Sequence, residues 1–300
     1  MIEFSLDLPI CNTCGAQFGT TSPPKTCPVC DDPRQWVPPS GQSYTTLGAL
    51  QTSEEKYHNV IEPDSNDADL YSVYTVPHFA IGQRAVLMVR DGGKANVLWD
   101  CISYIDSDTV DKITAMGGIS AIFISHPHFY SSHVEWARAF GCKVYISSYD
   151  KQWVMRSSPD DQVFYDEDVV SVEDQAKADK LTIVRVGGHF PGSAVCLWKE
   201  THLLVADSIG IVLSGLGERE RLPGTITFTF MWSYPNMIPL SPDAVFDIWK
   251  ALKPFNFEIM HGGWADKVVK TDVKKRLLES CKIFVEKMGY TQHAVFEEEL

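Results

Sequence analysis

The stretch Ala121-Ile122-Phe123-Ile124-Ser125-His126-Pro127-His128 decides how this chain is read. Its apolar run reads as a strand that ends at His126. Two histidines two apart on a loop can both reach one ion, and neutral imidazole is the commonest metal ligand. Three further pieces follow in order: Gly188-His189-Phe190-Pro191-Gly192-Ser193, Ala206-Asp207-Ser208 and Met260-His261-Gly262-Gly263. Each follows or adjoins a short strand-like run. A third His and an Asp from later strand ends would complete a pocket at one edge of a sheet.

This order resembles the metallo-β-lactamase fold superfamily, whose signature is H-x-H-x-D-H followed by three distant His and Asp ligands. The resemblance covers roughly residues 71 to 265. It implies an α/β fold, the αββα sandwich. His126, His128 and His189 match the first-site histidines, Asp207 the shared aspartate, and His261 the last histidine of the second site. Tyr130 and Ser131 stand where the superfamily has the Asp-His pair that serves the second metal. The resemblance therefore implies a full first site and part of a second, a site for one ion. His133 is close enough in sequence to replace a missing ligand, although a lone histidine near a helix start is more often a surface or supporting residue.

Eight cysteines divide into two sets. Cys11-x-x-Cys14 and Cys27-x-x-Cys30 form two knuckles, each able to wrap one side of a tetrahedral ion with thiolates. Gly15 suits the tight turn that a knuckle needs. Four thiolates leave no open position, so this ion, zinc in preference to iron, is expected to be structural. Cys101, Cys142, Cys196 and Cys281 are scattered and read as small buried hydrophobes. Free thiols beside a metal-type cluster suggest a reducing compartment, the cytoplasm, and no signal peptide is evident at the start. A ribbon ahead of such a domain also resembles a group of microbial hydrolase-like proteins.

The expected organisation is a zinc ribbon at 1–35, a connecting segment at 36–70 rich in Pro, Ser, Thr, Asn and Asp, and the metallo-β-lactamase-like domain at 71–300. Strands are expected at 72–76, 85–89, 96–99, 143–147, 181–186, 194–198, 202–206 and 256–260, with helices near 108–116 and 132–140. Ser241-Pro242-Asp243 is a helix start, and Val269, Val273, Leu277, Cys281 and Phe284 recur at helical spacing. Residues 157–179 are polar and acidic and read as a surface excursion. Asp100 is either a structural aspartate near the site or a plain strand-end residue.

A net charge of -13 repels phosphate backbones, which argues against nucleic acid and mildly favours neutral or cationic substrates. No apolar stretch is long enough for a bilayer span. The resemblance implies a metal-dependent hydrolase of a small ester, thioester or lactone. A bound ion, zinc or else iron, would polarise a carbonyl and lower the pKa of bound water. Asp207 or His133 would hold or deprotonate that water. Tyr130 would donate to the oxyanion, or merely pack. His261 would ligate, hydrogen-bond the water or bind a substrate oxygen. Trp232, Tyr234 and His78 are substrate-side candidates. Two other readings stay open: a one-iron oxidoreductase, and a binding or scaffold protein with the ribbon as its docking module.

Overall fold

The structure is a computed structural model describing residues 3–172, 180–217 and 221–300. The chain divides into two compact units, residues 1–166 and 167–300.

The first unit begins with β1 (Pro9–Cys11), α1 (Pro28–Asp31), β2 (Tyr44–Thr46) and α2 (Leu47–Gln51). β3 (His58–Pro63), β4 (Leu70–Val76), β5 (Ala85–Met88) and β6 (Val97–Trp99) follow. Then come α3 (Ser107–Ala115), β7 (Ala121–Phe123), α4 (His133–Phe140), β8 (Lys143–Ser147) and β9 (Gln162–Tyr165). β3 to β9 form one seven-stranded sheet in sequence order. Pairing is antiparallel from β3 to β6 and parallel from β6 to β9. β7 is flanked on both sides by parallel partners, which explains its unbroken apolar run. Asp106 caps α3 by accepting from the Thr109 amide at 2.8 Å, and α4 stops at Gly141 in the left-handed region. Both helices send apolar side chains, Val110, Ile113, Trp136 and Ala137, into a core shared with Leu87, Leu98, Ile122 and Val144.

The second unit holds β10 (Val169–Val172), β11 (Leu181–Arg185), β12 (Ala194–Trp198), β13 (His202–Leu204), β14 (Gly210–Ile211) and β15 (Phe228–Thr229). After them run β16 (Met231–Ser233), β17 (Ile238–Pro239), α5 (Pro242–Leu252), β18 (Ile259–His261), β19 (Val268–Val269) and α6 (Val273–Lys287). A six-stranded sheet runs β10-β11-β12-β13-β18-β19, and only β13 and β18 pair in parallel. β14 pairs with β15, and β16 with β17. Ser241 caps α5 at the Ala244 amide, with Pro242 at its first position. Val245, Ile248 and Trp249 of α5 share a core with Leu277, Cys281 and Val285 of α6 and with Val195, Leu203 and Met260 of the sheet.

Three expectations need correction. The stretch 36–70 supplies β2, α2 and β3 rather than only a connection. β3 is an edge strand with half-exposed or exposed residues at most positions, so polar residues suit it. The polar excursion at 157–179 contains β9 and β10, both edge strands, while residues 173–179 lie outside the described residues. Val269 ends β19 and does not belong to α6, which starts at Val273. No helix among the described residues is long and apolar enough to cross a membrane.

Candidate metal centres

In the ribbon, the Cys11 and Cys30 sulfurs are 3.5 Å apart, and those of Cys14 and Cys27 are 3.7 Å apart. A disulfide needs about 2.05 Å. Four sulfurs about 2.3 Å from a tetrahedral ion lie roughly 3.8 Å from each other. The spacing therefore fits an ion. Hydrogen bonds from Cys14, Cys27 and Cys30 hold the Cys11 thiol far below its usual range, while those to Cys11 and its neighbours push Cys14 and Cys30 up. Four clustered sulfurs resist ionising together unless a cation sits among them. The Gln42 amide donates to Cys11 Sγ at 3.1 Å. Gly15 adopts φ +79, and a Cβ there would meet Ser103 Oγ at 2.3 Å, so the knuckle strongly favours glycine.

In the first unit, His126 and His128 follow β7 on a turn of 3₁₀ helix, both buried. Their ring centroids are 5.1 Å apart, and Ser125 Oγ meets His126 Nδ1 at 2.9 Å. Asp100 sits at φ +65, donates its amide to the Phe123 carbonyl at 2.8 Å and accepts the Ser125 amide at 2.7 Å. It pins the chain just before His126, the structural role of the two considered. Backbone in the left-handed region is tolerated by aspartate better than by most residues.

In this unit His133 and Tyr130 make the contacts of their other readings, a supporting residue and a packing residue. His133 offers no free nitrogen: Nδ1 meets the Tyr130 carbonyl at 2.8 Å and Nε2 the Gln162 amide at 2.7 Å. Burial pushes its pKa down to about 4. It is a neutral core histidine, with Nδ1 as donor and Nε2 as acceptor. Tyr130 is buried, its hydroxyl donates to the Asp150 carbonyl at 3.3 Å, and desolvation raises its pKa well above a phenol's. Its contacts are those of a packing residue. His78 is exposed in the loop after β4.

In the second unit, His189 follows two glycines in the left-handed region, Gly187 (φ +63) and Gly188 (φ +83). A Cβ on Gly188 would meet Leu240 Cδ1 at 2.8 Å. His189 Nδ1 lies 3.0 Å from the Met231 carbonyl, so this nitrogen carries the proton and Nε2 keeps its lone pair. That Nε2 is 3.7 Å from Asp207 Oδ2, close to the roughly 3.4 Å between two ligands each about 2.1 Å from a tetrahedral ion. The half-buried Tyr234 donates its hydroxyl to the Asp207 carbonyl at 3.0 Å, and desolvation pushes its pKa well up. Trp232, also half-buried, lies on β16 beside it. The Ser208 hydroxyl accepts the His189 amide at 3.3 Å and donates to the Gly187 carbonyl at 2.6 Å.

His261 meets His202 across the parallel β13–β18 pair, with Nε2 2.9 Å from His202 Nδ1 and the rings stacked at 5.2 Å. Sequence alone shows no constellation for His202. Only the pairing of two strands far apart in the chain brings it to His261. Among the described residues, the groups able to hold a metal are Cys11, Cys14, Cys27 and Cys30, and the His3Asp set His126, His128, His189 and Asp207. His261 and His133 are in neither.

No family model matches the sequence. The Bacillus subtilis (strain 168) "Uncharacterized protein YmaE" is 37% identical over 286 residues, covering 93% of this chain and 96% of the relative. Among solved structures, VMB-1 aligns at TM-score 0.54 and 11% identity, covering 76% of this chain and 98% of that one. The DIM-1 metallo-β-lactamase aligns at 0.52 and 10%, covering 77% and 98%. The apo chemotaxis sensor ODP from T. denticola aligns at 0.51 and 16%, covering 80% and 98%. These likenesses show the fold.

Proposed function

Since the chain belongs to one family with Bacillus subtilis YmaE and carries the metallo-β-lactamase fold, we propose that it is a metal-dependent hydrolase of a small ester, thioester or lactone. In this reading His126, His128, His189 and Asp207 hold one catalytic ion, zinc first and iron second, and the ribbon cysteines hold a structural zinc. The observation that carries it is the orientation of His189. Its ring is fixed through Met231 so that the ligating nitrogen sits beside the Asp207 carboxylate.

When bound, the ion supplies Lewis acidity toward a carbonyl and a water acidic enough to attack near neutral pH. The chain's own residues supply the positions. Asp100 and Ser125 set the His126 backbone and ring. Tyr234 and Ser208 fix the Asp207 and His189 loops. Asp207 is the carboxylate available to hold the attacking water's proton. The acidic balance of the chain suits a neutral or cationic substrate.

Elemental analysis of the wild type and of His126→Ala/His128→Ala tests this. The double variant is expected to lose about one ion per chain and keep the ribbon ion. A panel of chromogenic esters, thioesters and lactones then names the substrate class. If both proteins carry only the ribbon ion, the hydrolase reading fails. If the lost ion is iron and the wild type consumes oxygen, the oxidoreductase replaces it.

A further inference from the structure

The turn carrying His126 and His128 is weakly held by its own backbone. Within the turn, i→i+3 bonds run from the Phe129 amide to the His126 carbonyl at 3.1 Å and from the Tyr130 amide to the Pro127 carbonyl at 3.2 Å. Ser131 then takes φ +46, a conformation that costs a non-glycine residue about 1 kcal/mol. Such a segment belongs to the least stable part of a fold unless other elements hold it.

The ribbon supplies that support. The Gln17 backbone N–H donates to the Ser131 carbonyl at 3.1 Å. The Ser103 hydroxyl donates to the Gly15 carbonyl at 2.8 Å, and the Ser132 hydroxyl donates back to the Ser103 carbonyl at 2.8 Å. Buried Arg156 joins the Gln17 side chain to Glu135 on α4, two residues into that helix, and to Ser5. Further along, Trp153 Nε1 donates to Asp32 at 3.2 Å, and the Gly19 amide to the Met155 carbonyl at 3.3 Å. Three of these contacts fall on residues 131–135, immediately after His128. Gly15 and Gln17 lie within three residues of Cys14, so their placement depends on the knuckle.

We propose that the ribbon, alongside Asp100, is a positioning element of the His126-x-His128 turn, acting through the Gln17 backbone N–H and Ser103, so that emptying the cysteine site loosens the histidine turn. This rests on reading His126 and His128 as metal ligands. Ser131 stands where the superfamily resemblance places a second-site ligand. Its backbone is instead held by the Gln17 backbone N–H, and its side chain by the Gln83 amide at 2.9 Å.

Two variants test it. Cys27→Ser/Cys30→Ser empties the ribbon. Ser103→Ala/Gln17→Pro keeps all four thiols, removes the Gln17 backbone N–H that meets the Ser131 carbonyl and cuts the Ser103 side-chain link. Amide hydrogen exchange of residues 126–133, read by mass spectrometry without metal in the histidine set, is expected to speed up at least tenfold in both. Exchange of β12 in the second unit should hold steady. Cobalt(II) loaded at the histidine site should change its visible spectrum in both variants. Exchange within twofold of wild type in Ser103→Ala/Gln17→Pro, or in a folded metal-free cysteine variant, overturns the proposal. If the cysteine variant unfolds throughout, with β12 exchanging too, the serine–glutamine variant decides alone. If wild-type protein takes up no cobalt at the histidines, the hydrolase reading falls, while the exchange result still decides the buttress.

Discussion

Replacing His133 by glutamine should flatten the acid side of the stability curve. His133 is fully enclosed, with a Gln162 amide proton aimed at its Nε2. Burial is the main reason its pKa falls from the ordinary 6.5 to about 4, and the Arg156 charge adds to it. The unfolded chain therefore binds a proton between about pH 6.5 and 4 that the folded chain refuses. The contribution of the neutral ring is intact above pH 6.5 and is lost as the pH falls toward 4. The interval, at about 1.4 kcal/mol per pH unit, sets a ceiling of about 3 kcal/mol. Urea unfolding of wild type and His133→Gln at pH 7.0 and at about pH 4.5 measures it, with the difference between the proteins isolating this histidine from other acid effects. The wild type should lose about 2 kcal/mol more than the variant over that range. Equal slopes, or an NMR titration placing His133 at or above 6.5, would refute the reasoning.

Other outcomes follow from the same contacts. Glu135→Ala leaves the buried Arg156 charge uncompensated and should cost about 3–5 kcal/mol in chemical denaturation, while Glu135→Leu with Arg156→Met should recover most of it. Tyr234→Phe removes the hydroxyl that holds the Asp207 carbonyl. It should cost about 1 kcal/mol in stability and weaken metal retention at the histidine site on dialysis against a mild chelator. Ser280→Ala strands the amides of Thr227 and Phe228, both bonded to this buried hydroxyl, and should lower thermal stability by about 1–3 kcal/mol in a melting experiment.

Much of this architecture was legible in the sequence because its strongest signals are local. The C-x-x-C knuckles, the apolar run before His126, the glycines around His189 and the Ser241-Pro242 cap each encode their own geometry. The edge strands β3, β9 and β10 escaped because an edge tolerates polar residues and so loses the apolar signature. Tyr130 and His133 kept two readings each for another reason. Their partners, Asp150 and Gln162, lie 20 and 29 residues away, and no local pattern announces a buried hydrogen bond. The His202–His261 contact spans 59 residues and depends on strand pairing alone.

The ribbon's contacts also impose an order on synthesis. The Cys11–Cys30 loop closes across 19 residues, but Ser103 reaches Gly15 across 88, and Arg156 reaches Gln17 across 139. Local closure is the faster event, and distant docking waits for the chain to be made. At translation rates of about 5–20 residues per second, roughly ten seconds separate a finished knuckle from its last docking partner. During that interval the thiolates are captured or left bare according to how much of the fitting metal ion the nascent chain meets. A chain that leaves the ribosome with its cysteines bare would carry a first unit without its brace.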